Sequence, residues 1–249
     1  GYVNVPPYEG STILHDDMED LFGRVDNHLY GDGTAQTYGT DGGPTHEAFY
    51  DAMNKLEGGV GTWAFSTGLA GCTIPMMAFL KTGDHMLVTD SVYGPTRQFC
   101  EVLLKNFGVE AEFYEPTIGT GIERLIRPNT RLIYMESPGT HTFEMQDVPA
   151  IAAVARRHDV VTMIDNTYAT PLNFQPLKHG VDVVVHSATK YICGHSDVLM
   201  STVTCNEKTW RQVRSVCKMT GQYASAQSVY LGLRGLHTLK VRLDAVGAH

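Results

Sequence analysis

Residues 160–190 read VVTMIDNTYATPLNFQPLKHGVDVVVHSATK. Two apolar runs, 160–165 and 181–186, end on polar residues, Asp165 and His186. Neither run alternates apolar with polar. Continuous apolar runs of this length mark strands buried on both faces, the pattern of a parallel sheet covered by helices. Further runs of the same kind stand at 62–66, 85–90, 110–114, 131–136 and 199–205. Helix-length segments at 68–81, 95–107 and 148–158 lie between them. Thr45 is positioned to cap a helix on which Phe49, Met53 and Leu56 recur at helical spacing, and Gly58-Gly59 stops it. The fold expected is α/β: a mostly parallel seven-stranded sheet with helices on both faces, over residues 44–249. Residues 1–43, rich in Gly, Asp, Thr and Tyr with weak periodicity, read as an extended N-terminal arm.

Composition narrows the function. The chain has 249 residues, 43% of them hydrophobic, enough for one large core. Its net charge of −8 and the lack of a basic stripe argue against a nucleic-acid partner. The longest apolar run, near 74–80, is too short to span a bilayer. The opening GYVNVPPYEG lacks the basic and apolar regions of a secretory signal. Cys72, Cys100, Cys193, Cys205 and Cys217 are odd in number and form no C-x-x-C pair. Buried thiols in a reducing cytoplasm are therefore expected, with no zinc site. His46-Glu47 opens an H-E-x-x pattern, but Tyr50 stands where a second metal-binding His belongs. His195, close to Lys190, reads as a structural histidine.

In open α/β sheets, ligands bind beyond the carboxyl ends of the strands. Those ends carry Ser66-Thr67-Gly68, Asp90-Ser91-Val92-Tyr93, Glu136-Ser137-Pro138, Asp165-Asn166-Thr167 and His186–Lys190. Together they suit pyridoxal phosphate (PLP), which needs a phosphate cradle, an acid for its pyridine nitrogen, a flat wall and a lysine. Lys190 follows two hydroxyl residues, Ser187 and Thr189, that can bind phosphate oxygens. A lysine in a partly desolvated pocket loses its proton readily, and a neutral amine attacks an aldehyde. Asp165 can keep the pyridine nitrogen protonated, making the ring an electron sink. Gly68 and Leu69 open a helix whose free N–H groups favour phosphate. Tyr93 can supply the aromatic wall.

The string 165–197, DNTYATPLNFQPLKHGVDVVVHSATKYICGHSD, closely resembles the signature of the Cys/Met-metabolism PLP enzymes, which make and break cystathionine. The resemblance runs over about residues 38–243 and includes LEGG at 56–59, GDHMLVTDSVYGPT at 83–96 and ESPGT at 136–140. It implies the large domain of a PLP-dependent transferase-like fold, with Lys190 holding PLP as a Schiff base and Asp165 pairing with the pyridine nitrogen. Ser187, Thr189, Gly68 and Leu69 would bind the phosphate, Tyr93 would stack on the ring, and Asn166 would lie beside it. Tyr38 would reach the phosphate of a neighbouring subunit in a homo-oligomer, a dimer of dimers. NTRLIYMESPGTHTFEMQDVPAI at 129–151 and MTGQ at 219–222 most resemble the bacterial branch that cleaves cystathionine by β-elimination, with Lys190 and Tyr93 as the catalytic pair. A γ-type sister activity, another cysteine-conjugate lyase and a non-catalytic PLP-fold protein are the alternatives.

Two features depart from the family pattern. Thr40 stands where the family has an arginine that helps neutralise the phosphate. Losing such a charge-assisted contact costs about 1.5–3 kcal/mol. The family's smaller C-terminal domain, with the arginine that grips the substrate carboxylate, is expected to lie outside a chain ending in VGAH.

Overall fold

The computed structural model describes residues 3–30 and 35–248. In chain order its main elements are helix α1 (Met18–Tyr30), α2 (Pro44–Glu57), strand β1 (Gly61–Phe65), α3 (Gly68–Thr73), β2 (His85–Thr89), α4 (Gly94–Gln98), β3 (Glu110–Tyr114) and β4 (Thr130–Glu136). Then come α5 (Val148–Arg157), β5 (Val161–Asp165), α6 (Thr170–Asn173), β6 (Val183–His186), β7 (Ser201–Cys205), α7 (Glu207–Met219), α8 (Ala226–Leu236) and α9 (Leu239–Gly247).

All seven expected strands form, in one sheet of order β1-β7-β6-β5-β4-β2-β3. The pairs β2–β3, β2–β4, β4–β5 and β5–β6 are parallel. β7 is antiparallel to both β6 and β1, so β1 runs in the same direction as β6. The carboxyl ends of β1, β2, β4, β5 and β6 therefore share one edge of the sheet.

The continuous apolar runs are explained by the two faces they serve. Successive side chains point to opposite sides. Met86 and Val88, Leu132 and Tyr134, Met163, and Val183 and Val185 pack on one side with Cys72 of α3 and Val213 and Cys217 of α7. Leu87, Ile133 and Met135, Ile164 and Val184 pack on the other with Ile151, Val154 and Ala155 of α5. Each of these Val, Leu, Ile and Met side chains, fully buried, contributes about 1.5–3 kcal/mol before entropy is counted. A third cluster, with Phe49 and Met53 of α2 and Val229 of α8, covers Ala64 and Met200 near the β1–β7 end.

Several local expectations are corrected. The segment expected as an extended arm contains helix α1; its residues 1–2 and 31–34 lie outside the described residues. Asp17 accepts the Asp20 N–H at 2.8 Å, and Met18, Leu21, Phe22 and Val25 recur at helical spacing, a signal that Gly23 interrupts. Helix α2 is capped by Gly43 with Pro44 in the first turn, not by Thr45. The buried Thr45 hydroxyl instead donates to Pro6 O at 2.7 Å and accepts the Tyr8 N–H at 2.9 Å, pinning the N-terminal segment. Gly58 does end the helix, in the left-handed region at φ 76°. The helical segment 68–81 breaks at Pro75 into α3 and a 3₁₀ turn, and 95–107 passes from α4 into a π-helical stretch, Phe99–Leu104. No helix among the described residues is long and apolar enough to cross a membrane.

Candidate active site

The strand-end residues form a closed chain of contacts along the shared edge. Gly68 opens α3 directly after β1, and a Cβ on it would stand 2.6 Å from the Ser187 Oγ. Only glycine lets the start of α3 lie this close to the Ser187 hydroxyl. Ser187, just past β6, donates its N–H to Thr167 Oγ1 at 2.7 Å. Thr167 donates its N–H to Asp165 Oδ1 at 2.9 Å. Asp165 Oδ2 accepts from the Cys72 thiol at 3.5 Å, which returns the chain of contacts to α3. Asp165 is only 8% exposed. Lys190 N–H donates to Ser187 O at 3.0 Å, which fixes the turn that carries the lysine. The lysine is exposed on this edge, and its amine makes no hydrogen bond or ion pair with a described residue.

The other expected residues differ in what they can offer. The Thr189 hydroxyl donates to Met200 O at 3.2 Å and accepts the Met200 N–H at 3.0 Å. Its single proton is thereby committed to joining the Lys190 turn to β7, whereas the Ser187 hydroxyl is open. Asn166 is fully buried and donates to Phe174 O at 2.9 Å, leaving its Oδ1 without a partner. Leu69 is exposed in the first turn of α3. Tyr93, 44% exposed, caps α4 past β2. Tyr38 is not drawn into this cluster. It is 52% exposed and lines a separate cavity of about 220 Å³ with Thr40, Asp41, Trp63 and Lys218. His195 accepts no such role either: its Nδ1 bonds Cys193 O at 2.7 Å within its own turn.

Nothing in the sequence singles out Glu136 for a role, yet it sits in register beside Asp165 at the ends of β4 and β5. It too is 8% exposed. Its Oε2 accepts the Tyr93 N–H at 2.8 Å, and its Oε1 accepts the Thr140 hydroxyl. Burial, and then the Asp165 charge, push the Glu136 carboxyl up to about 8. The groups facing it are Asp165 on β5, Cys72 on α3 and Tyr134 on its own strand. The folded state holds this proton up to about 8, against an ordinary value of 4.5. The folded state thus binds more protons between those values, so this group's stabilising contribution is full below the lower value and lost as pH rises through the upper one. The expected result is that Glu136→Gln gains melting temperature over the cofactor-free wild type from pH 5 to pH 8. A gap that stays constant with pH would contradict the assignment.

These donors fit PLP. An acid lies beneath the edge, an open hydroxyl faces a glycine-led helix start, an exposed ring stands at the next strand end, and an unpaired lysine follows the hydroxyl. Among the described residues, no group of three or more His, Cys, Asp or Glu side chains is placed to hold a metal ion. The family model for Cys/Met metabolism PLP-dependent enzymes matches residues 1–248. The chain belongs to this family. It is 47% identical over 244 residues to a Rhizobium johnstonii protein provisionally named cystathionine beta-lyase, covering 98% of this chain and 60% of that one. It is 39% identical over 245 residues to the Escherichia coli cystathionine beta-lyase MetC, covering 98% of this chain and 61% of that one. The crystal structure of cystathionine gamma-lyase from Lactobacillus plantarum in complex with L-serine matches with a TM-score of 0.86 and 31% identity, over 95% of this chain and 59% of that one. The chain thus spans about three fifths of the length of these relatives. The cofactor of the family is PLP.

Proposed function

We propose that the protein is a carbon–sulfur lyase that converts L-cystathionine and water to homocysteine, pyruvate and ammonia. The observation that carries this reading is the contact chain Gly68–Ser187–Thr167–Asp165 beside Lys190, in a chain 39% identical to a named cystathionine beta-lyase across 98% of its length. PLP, when bound, supplies an electron-withdrawing ring that stabilises negative charge at the substrate Cα. Lys190 is the amine that would hold its aldehyde carbon and take the proton from the substrate Cα. Asp165 would hold the proton on the pyridine nitrogen, an ionic contact strengthened by burial. The Ser187 hydroxyl and the N–H groups of Gly68 and Leu69 would hold the phosphate, with Thr189 and Asn166 fixing the loops around them. Tyr93 would wall the ring, and Tyr93 or Lys190 would hand a proton to the departing sulfur.

Tyr38, exposed and on a segment apart from the strand-end cluster, would reach the phosphate of a neighbouring subunit in a homo-oligomer, a dimer of dimers. The five free, buried cysteines support a cytoplasmic location. A second reading has its own support, since the solved structure matched above is a gamma-lyase. Mass-spectrometric analysis of PLP-loaded protein with L-cystathionine separates the two. Pyruvate with homocysteine is the expected result; cysteine with 2-oxobutyrate moves the protein to the γ branch; no product from a protein that also carries the relatives' carboxylate-binding domain overturns both.

A further inference from the structure

Tyr93 lies on irregular backbone. Beyond β2 the chain runs through a turn at 90–93 before α4 begins, so no strand ladder fixes the residue expected to wall the cofactor. What fixes it is the loop that follows β4. The Thr140 N–H donates to Ser91 O at 2.8 Å. Gly139 packs so closely on Ser91 that a Cβ there would collide with the serine side chain. The side chain of Glu136 completes the junction: one oxygen takes the Tyr93 N–H at 2.8 Å and the other takes the Thr140 hydroxyl. A carboxyl group meets both partners in either protonation state: one oxygen accepts the Tyr93 N–H, and the other accepts from the Thr140 hydroxyl or, when protonated, donates to it. It does this in register beside Asp165, so the acid for the pyridine nitrogen and the anchor for the wall stand on adjacent strand ends.

We propose that Glu136 is a positioning residue for the cofactor, acting through the Tyr93 backbone. Its carboxyl group ties the turn after β2 to the loop after β4 and so sets the Tyr93 ring over the site that Asp165 underlies. The inference rests on the proposed role of Tyr93 but needs no lyase chemistry. A packed acid with no positioning role would affect folding alone; this one sets cofactor affinity through Tyr93.

The test is equilibrium PLP titration of the cofactor-free protein, with hydrogen exchange at the Tyr93 amide as a second readout. Glu136→Ala is expected to raise the PLP dissociation constant at least about tenfold and to speed exchange at Tyr93. Glu136→Gln keeps an acceptor for the Tyr93 N–H and a donor that the Thr140 hydroxyl can accept, so it is expected to bind within about threefold of wild type. Adding Glu136→Ala to Tyr93→Ala is expected to cost little more than Tyr93→Ala alone, because coupled residues are not additive. Wild-type PLP affinity in Glu136→Ala, or full additivity in the double variant, would overturn the proposal. So would a glutamine variant as weak as the alanine one, since the charge itself would then be what matters. If Glu136→Ala does not fold, Glu136→Asp, whose carboxyl falls one methylene short of Tyr93, carries the same expectations. A protein that binds PLP as expected but leaves cystathionine intact would sink the lyase reading and leave this one standing.

Discussion

Replacing Lys190 with alanine is expected to lower kcat/KM for L-cystathionine by at least about 10³-fold, since one group both holds the cofactor and moves the Cα proton. The yellow absorbance of the PLP-loaded protein should disappear with it. Stability should hardly change. The Lys190 side chain is exposed and has no partner among the described residues, and the turn beneath it is held by backbone bonds from Lys190 to Ser187 O and from Gly194 to Lys190 O. Steady-state kinetics, an absorbance spectrum and a melting curve on the same preparation check all three. Retained colour and activity would mean that another amine carries the cofactor.

The second large effect is on stability. Glu57, the last residue of α2, is fully buried and paired with His186, the last residue of β6. Its other carboxyl oxygen has no partner among the described residues. The pair clamps α2 to the strand that leads straight into Ser187 and Lys190. Glu57→Ala leaves the buried imidazole without its partner, and breaking a buried pair in this way costs about 3–5 kcal/mol. In a chain of this size that lowers Tm by about 6–20 °C. Glu57→Gln keeps a hydrogen-bond acceptor and should cost about 1.5 kcal/mol or less. Thermal unfolding of both variants is the check, and a drop below about 3 °C for the alanine variant would show that the pair holds little.

The strands were legible because their chemistry is local. A run such as VDVVVH needs only its own residues to announce burial on both sides, and the polar residue that ends it announces the edge. Asp165 stands out in the sequence as the polar ending of an apolar run, and Lys190 follows Ser187-Ala188-Thr189 after the ending of the next. The direction of β7 was not legible, since an antiparallel strand buried on both faces has the same composition as a parallel one. Glu136 shows the other limit. ESPGT marks a strand end, but the meaning of its acid comes from the register that sets it beside Asp165 and from the turn that brings Tyr93 N–H to it. His186 and Glu57 are as far apart in sequence as they are close in space, and neither alone announces a buried pair. The Thr189 hydroxyl was read from its place beside Ser187, while the return of β7 engages it at Met200. A helix boundary shifted where one residue overrode the pattern, as Pro75 does after α3, while α1 runs through Gly23, the residue that hides its helical spacing.

Borohydride reduction of the PLP-loaded protein, followed by peptide mapping, tests the central claim most directly. The account predicts a phosphopyridoxyl label on Lys190 and nowhere else. A label on another lysine, or none, would contradict it.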